Sequence, residues 1–254
     1  MASPDKVDPI HQFIVNDLVS FGHIGGMKIA FQNSSLFMFV AVAVILGFMS
    51  LAISGRSLVP GRLQSAAEML YEYVEGLVDQ ILGHDGKAFL PFVFAIFTFV
   101  LTLNFLGLIP YFYTVTSQII VTAALAVMVI LTVIVVGFAK NGLGFLGLFV
   151  PHGVPIAILP LISVIEIISF FARPISLSLR LFGNLLAGHI VLKVFAGFII
   201  SLSAFGVVGW VGAVAPFAMV IAITALEILV AGLQALVFSL LTCIYLKDAL
   251  HPHH

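Results

Sequence analysis

The sequence predicts an all-α integral membrane protein with five to six membrane segments, the last two being long, strongly tilted antiparallel helices that form a hairpin. Three observations predict it. Of the 254 residues 62% are hydrophobic and only 8% charged, against about 25% charged in soluble domains, and no water-soluble globule hides so much apolar surface. Several stretches exceed the roughly 18 uncharged apolar residues that cross a hydrocarbon core. The final two apolar runs, 161–201 and 213–247, are far longer than one crossing needs and carry ionisable groups inside them.

Residues 1–34 are polar, with Asp5, Asp8 and Asp17, and lack the basic start and short apolar core of a signal peptide. They read as an outer-side tail, with residue 1 as the start of the functional chain. The first span covers 35–54 and ends at a turn beginning with Gly55. A polar stretch, 56–87, follows, in which Glu68, Glu72, Glu75 and Asp79 recur at spacings of three and four. That places them on one stripe of an amphipathic helix, read as a solvated face, with docking of a partner as the alternative. Two further spans cover 89–109, stopped by Pro110, and 118–139, ended by Lys140 and Asn141.

From 142 to 160 the chain stays apolar but is broken by Gly142, Gly144, Gly147, Pro151, Gly153, Pro155 and Pro160. Irregular backbone at membrane depth is tolerated only inside protein or beside a water-filled cavity, so this segment is predicted to be re-entrant or interfacial. The two runs after it are separated by a glycine-rich connector, 201–212. As helices they would measure roughly 60 and 50 Å, about twice the hydrocarbon thickness, and neither can stand upright. The whole chain, 1–254, is then one membrane domain. Arg56, Arg62, Lys87, Lys140 and Lys247 fall on one side if the spans alternate, which is the cytoplasmic side by the positive-inside rule. Lys6 and Lys28 in the tail weaken that bias without reversing it.

The last two helices contain Glu166, Arg173, Arg180, His189, Lys193 and Glu227. An arginine at the centre of a membrane helix costs roughly 2.5 to 3.5 kcal/mol on insertion scales, so each such group is a functional candidate. At about 100° per residue, Glu166, Arg173, Arg180 and Asn184 share one stripe, although Pro174 is placed to bend it. Glu227, Gln234 and Tyr245 form a matching stripe on the final helix. In an antiparallel hairpin turning within 201–212, Arg180 comes opposite Gln234 and His189 opposite Glu227. His189 points away from Arg180 on a straight helix. Either a twist turns it inward or it lines a separate aqueous path.

Simpler roles compete at some positions. Arg173 and Lys193 could snorkel to an interface, and Glu166 could serve as a structural partner for Arg173. Arg180, between Ser-Leu-Ser-Leu and Leu-Phe-Gly-Asn deep in the apolar run, has no such escape. His11, His23, His84 and His152 are isolated and read as ordinary polar residues, the terminal His251, His253 and His254 as a solvated tail, and Cys243 as a small buried hydrophobe. No metal site is expected. The chain has neither the Gly-x-x-x-x-Gly-Lys loop that cradles nucleotide phosphates nor a His-Glu-x-x-His metal motif. An ion path across a bilayer is the reading that remains, ahead of a self-contained transporter, an intramembrane enzyme or a scaffold.

The string Arg-Pro-Ile-Ser-Leu-Ser-Leu-Arg-Leu-Phe-Gly-Asn-Leu-Leu-Ala-Gly-His (173–189) closely resembles the signature of subunit a of F-type ATP synthases. Glu-Ile-Leu-Val-Ala-Gly-Leu-Gln-Ala (227–235) and Asn-Phe-Leu-Gly-Leu-Ile-Pro-Tyr (104–111) do so too, and the likeness runs from Asp-Pro-Ile-His-Gln-Phe (8–13) to the last helix. The resemblance implies a proton-translocating stator subunit with two half-channels beside a rotating ring of c subunits. It also implies b- and b′-type peripheral-stalk partners and the rest of the two-sector complex, no cofactor, no catalytic site of its own and no nucleic acid. It places Arg180 against the ring carboxylate, with Gln234 and Asn184 beside it. His189 and Glu227 fall on the outer access path and Glu166 on the inner exit path, with Arg173, Ser176 and Tyr245 as minor members. Lys193 maps to no family role. The order of His189 and Glu227 resembles the mitochondrial and α-proteobacterial arrangement more than the enteric one. The implied location is an energy-coupling membrane, the bacterial inner membrane in preference to the mitochondrial.

Overall fold

The computed structural model describes residues 17–24, 27–54, 59–109, 112–150 and 158–251. The start of the tail, the turn expected at Gly55, the stop expected at Pro110, part of the Gly/Pro-rich segment (151–157) and the last three residues lie outside the described residues.

The chain opens with an antiparallel hairpin of β1 (Asp17–Ile24) and β2 (Met27–Gln32), pairing Asp17 with Gln32 and Ile24 with Met27. Six helices follow: α1 (Asn33–Ser54), α2 (Arg62–Leu82), α3 (Leu90–Leu108), α4 (Ile119–Asn141), α5 (Leu159–Ser203) and α6 (Gly206–Leu250). Among the described residues α1, α3, α4, α5 and α6 are the five helices long and apolar enough to cross a membrane. α2 is the amphipathic one, burying Val74, Val78 and Leu82 at fourfold spacing while Glu68, Glu72 and Asp79 stay exposed. Glu68, Glu72 and Glu75 line a groove of about 890 Å³ with Met49 and Ile53 of α1 and Phe94 of α3.

Lipid is as apolar as leucine, so helix association in a bilayer depends on close packing and small interface residues more than on water exclusion. The core follows that rule. Ala231, Ala235 and Ala249 of α6 are wholly buried, and Val93, Val100, Val133, Leu181 and Phe238 interlock around them. α3 is the central post, with half of its most apolar stretch buried against only 6% for α5 and 11% for α6.

The turn between the long helices is shorter than expected. Only Ala204 and Phe205 separate α5 from α6, so most of the 201–212 connector is helical and α6 begins at Gly206 rather than near 213. Gly206 takes a left-handed φ of +70° at the reversal, a conformation glycine adopts without strain. At Gly209 a Cβ would lie 1.9 Å from the Leu202 carbonyl oxygen. These glycines close a tight helical hairpin instead of breaking it, and Pro174 and Pro216 both sit inside helices that continue past them.

The Gly-rich start of the 142–160 segment reverses at Gly142 (φ +55°) and runs as a 3-10 helix, Gly142–Phe149, back against α4. Phe145 seats so closely on Gly137 that a Cβ there would come within 2.3 Å of the ring. One end of the bundle is then tied together. Asn141 Nδ2 donates to the carbonyls of Ala249 (2.6 Å) and Leu250 (3.2 Å), which the helix end leaves without partners. His251 Nε2 lies 3.4 Å from Asp85 Oδ2. The ends of α2, α4 and α6 therefore meet, as the alternating spans require.

Candidate functional site

α5 presents Ser176, Arg180, Asn184, Ala187 and Val191 on its exposed face, one helical turn apart or nearly so. Among the described residues no hydrogen bond or ion pair reaches the Arg180 guanidinium. Its charge acts through space on the Tyr245 phenol of α6. Gln234, expected opposite Arg180, is buried on α6 at 8% exposure and is not bonded to it. One turn before Gln234, the Ala231 carbonyl accepts from Asn104 Nδ2 of α3 at 3.1 Å.

The expected pair of His189 and Glu227 is offset by one residue. Glu227, 7% exposed, lies against Gly188, whose bare Cα makes the room: a Cβ would stand 2.1 Å from Oε1. Oε1 itself is buried without a hydrogen-bond partner. A cavity of about 250 Å³, lined by Asn184, Leu185, Gly188, Ile223, Leu226 and Glu227, joins this carboxyl to the Asn184 turn of the exposed face. The His189 ring turns instead to the α3–α4 connection, where Nε2 is 3.3 Å from Thr114 Oγ1. Outside the spans, burial pushes the Tyr113 phenol up, opposed in part by its hydrogen bond from Gln118.

Arg173 is fully engaged. Nη1 meets Asp248 Oδ2 at 2.9 Å, Nη2 meets Glu166 Oε1 at 3.6 Å, and Cζ stands 5.3 Å over the Tyr245 ring. The guanidinium is thus shared between two carboxylates and an aromatic face, and snorkelling does not describe it. Ser163, one turn before Glu166, has a buried hydroxyl without a partner.

Glu166, offered by the sequence as a partner for Arg173, lies beside it; Tyr245 joins them, and three further residues not singled out as site candidates take part. Asp248, near the end of α6, is brought to Arg173 by the antiparallel packing of α5 and α6. Asn104 and Thr114 are buried at 0% and 3% exposure. Their signal was a polar side chain in or beside an apolar span, which weighs more in lipid than in water.

A family model described as ATP synthase A chain matches residues 35–247. The chain is 60% identical to "ATP synthase subunit a" of Mesorhizobium japonicum over 250 residues, covering 98% of this chain and 99% of that protein. It is also 60% identical to the same-named proteins of Rhodopseudomonas palustris, over 97% of this chain and 99% of the relative, and of Sinorhizobium medicae, over 96% and 98%. Such a match along the whole length, on a bundle whose arginines, carboxylates and histidine gather on α5 and α6, leaves one assignment: this chain belongs to the ATP synthase subunit a family.

Proposed function

We propose that the chain carries protons through two offset half-channels that meet at Arg180, where a ring of c subunits takes each proton from one to the other. As a member of the subunit a family it is the non-catalytic, proton-translocating stator subunit of an ATP synthase, a multi-pass protein of the bacterial inner membrane. The observation that carries the site reading is the guanidinium, unbonded among the described residues, on the exposed face of α5 with Ser176, Asn184, Ala187 and Val191. Facing lipid, that cation would cost roughly 2.5 to 3.5 kcal/mol. Facing a carboxylate on a neighbouring polypeptide it is stabilised, and it favours the ionised form of that partner.

An arginine never releases its proton in a protein, so Arg180 blocks direct leakage and ions must travel with the ring. Gln234 and Asn184 flank that contact. His189, set against Thr114, and Glu227, at the cavity beside Gly188, serve the outer access path, because an imidazole and a carboxyl both exchange protons with water. Glu166 and Asp248, gathered by Arg173 beside Tyr245, serve the inner exit path, with Ser176 at its mouth. Each unit charge crossing 100 mV supplies about 2.3 kcal/mol. The b- and b′-type stalk subunits hold the chain still while the ring moves.

The test is Arg180→Ala in the assembled complex, with ATP-driven acidification of inverted vesicles as the readout. Pumping should vanish while the complex still copurifies with its ring. Coupled pumping at the native rate in that variant refutes the reading.

A further inference from the structure

Two hydroxyls buried between α4 and α5 lie beside the Arg180 turn and have no part in the proton path described above. Thr122 Oγ1 of α4 and Ser178 Oγ of α5 stand 3.1 Å apart, at 0% and 4% exposure. Either hydroxyl can donate to the other, and the two helices are joined in both cases. Thr122 is also held by its own helix, with Oγ1 3.1 Å from the Ile119 carbonyl oxygen. Among the described residues the Thr122 hydroxyl is the one hydrogen-bond partner of the Ser178 side chain.

Apolar packing alone does not fix how α5 is rotated here. Leu177, Leu181 and Leu185 are buried while Phe171, Ile175 and Leu179 are exposed, so α5 offers apolar surface on more than one side. Lipid is as apolar as leucine, and exchanging one such face for another costs little. A hydroxyl does discriminate, because turned into lipid it loses its partner and gains no water. Ser178 precedes Arg180 by two residues, roughly 200° around the helix at about 100° per residue. Holding Ser178 against α4 therefore turns the guanidinium to the opposite, exposed face. Arg173 is tethered too, to Asp248 of α6, but Pro174 stands between that tether and Arg180. Proline has no N–H to give to the carbonyl four residues back, which softens the helix at that point. Ser178 lies on the Arg180 side of it.

We infer that Thr122 and Ser178 are positioning residues whose hydroxyl bond sets the rotation of α5 at Arg180, an inference that rests on the proposed role of that arginine. The bond keeps the guanidinium on the face where the ring passes. Without it α5 rotates at this level more freely, Arg180 leaves the contact for part of the time, and protons leak between the half-channels while the ring stands still.

The experiment uses the reconstituted two-sector complex in liposomes, with a non-hydrolysable ATP analogue holding the catalytic sector and so the ring still. Proton flux under a potassium diffusion potential, per assembled complex, then reads leak past Arg180. Thr122→Val keeps the branched shape and removes one hydroxyl. Ser178→Ala removes the other, so failed assembly of one variant leaves a second. Each should raise leak about five-fold, the population change expected from loss of one hydrogen bond. The double variant should leak no more than the leakier single one, since both remove the same bond. Thr122→Ser, which keeps a hydroxyl, should match the parent. A purely structural bond would lower the thermal midpoint and leave leak per complex at the parent value. That result overturns the inference, as do additive leak in the double variant and failure of both single variants to assemble. Arg180→Ala separates this bond from the site reading. If it leaks while both single variants stay tight, the positioning role is wrong and the role of Arg180 stands. If it pumps as the parent does, the role of Arg180 falls and the positioning role falls with it.

Discussion

Gly188→Ala isolates the seat of the Glu227 carboxyl. The added methyl would stand 2.1 Å from Oε1, 2.9 Å from Cδ and 3.0 Å from Cγ, whereas ordinary contact begins near 3.4 Å. The oxygen must retreat by the difference between 2.1 and 3.4 Å, about 1.3 Å. It has somewhere to go, because the 250 Å³ cavity opens beside it and the carboxyl ends a flexible side chain. The fold should survive: alanine inside a helix is favoured over glycine by roughly 0.5 to 1 kcal/mol, which offsets the cost of rotating the side chain. Proton transfer should not survive so well, since a displacement of about 1 Å in a transfer geometry can cost on the order of a hundred-fold in rate. The assay is ATP-driven quenching of a pH dye in inverted vesicles, normalised to assembled complex. Gly197→Ala is the matched control on the same helix, for a Cβ there meets nothing within 4 Å. Pumping falls at least ten-fold in Gly188→Ala and stays unchanged in Gly197→Ala. Equal rates in the two variants would refute the idea that the position of this carboxyl matters.

Asn141→Ala removes both bonds to the last carbonyls of α6 and should cost about 1 to 2 kcal/mol, read as a lower thermal midpoint of the detergent-solubilised complex; an unchanged midpoint rules the capping role out. Gly137→Ala drives a methyl to 2.3 Å from the Phe145 ring, which must shift at a cost of about 1 to 3 kcal/mol, and a normal yield of assembled complex with an unaltered midpoint would contradict the tight seat. Asp248→Asn leaves Arg173 with Glu166 at 3.6 Å as its remaining ion pair. Because the lost partner is a third exposed, the stability cost should be about 1 kcal/mol or less. Conduction should fall several-fold, and a native rate would detach Asp248 from the exit path.

The spans were legible because apolar length and uncharged runs are sufficient signals in a bilayer. α1, α3 and α4 begin and end within about two residues of the predicted limits. The hairpin turn was misplaced by the assumption that a glycine cluster interrupts a helix. Gly209 is small so that α6 can pass the Leu202 carbonyl, and only Gly206 needs its backbone freedom. The β1–β2 pairing was hidden by a polar composition, although Met27-Lys28-Ile29-Ala30-Phe31-Gln32 alternates as a strand does. At the site, charged residues inside apolar runs announced themselves. The one-residue offset that gives Glu227 to Gly188 and His189 to Thr114 did not, because it depends on helix curvature and on a connection whose uncharged hydroxyls carry little signal in sequence.

Arg173 and Arg180 show why intramembrane charge alone does not define a role. They lie seven residues apart on one stripe of α5. The Arg173 charge is answered inside the chain by Asp248 and Glu166, so it organises two carboxylates and has little left to offer a visitor. Among the described residues nothing bonds or pairs with the Arg180 guanidinium, which stands on the exposed face of α5. An uncompensated cation is stable at membrane depth only if an anion arrives from outside, and an arginine cannot escape the demand by losing its proton. That asymmetry makes the protein incomplete by itself. On the proposed reading the missing negative charge comes from a second polypeptide, and a carboxylate that is ionised only while it passes Arg180 meets the demand and transports a proton in doing so.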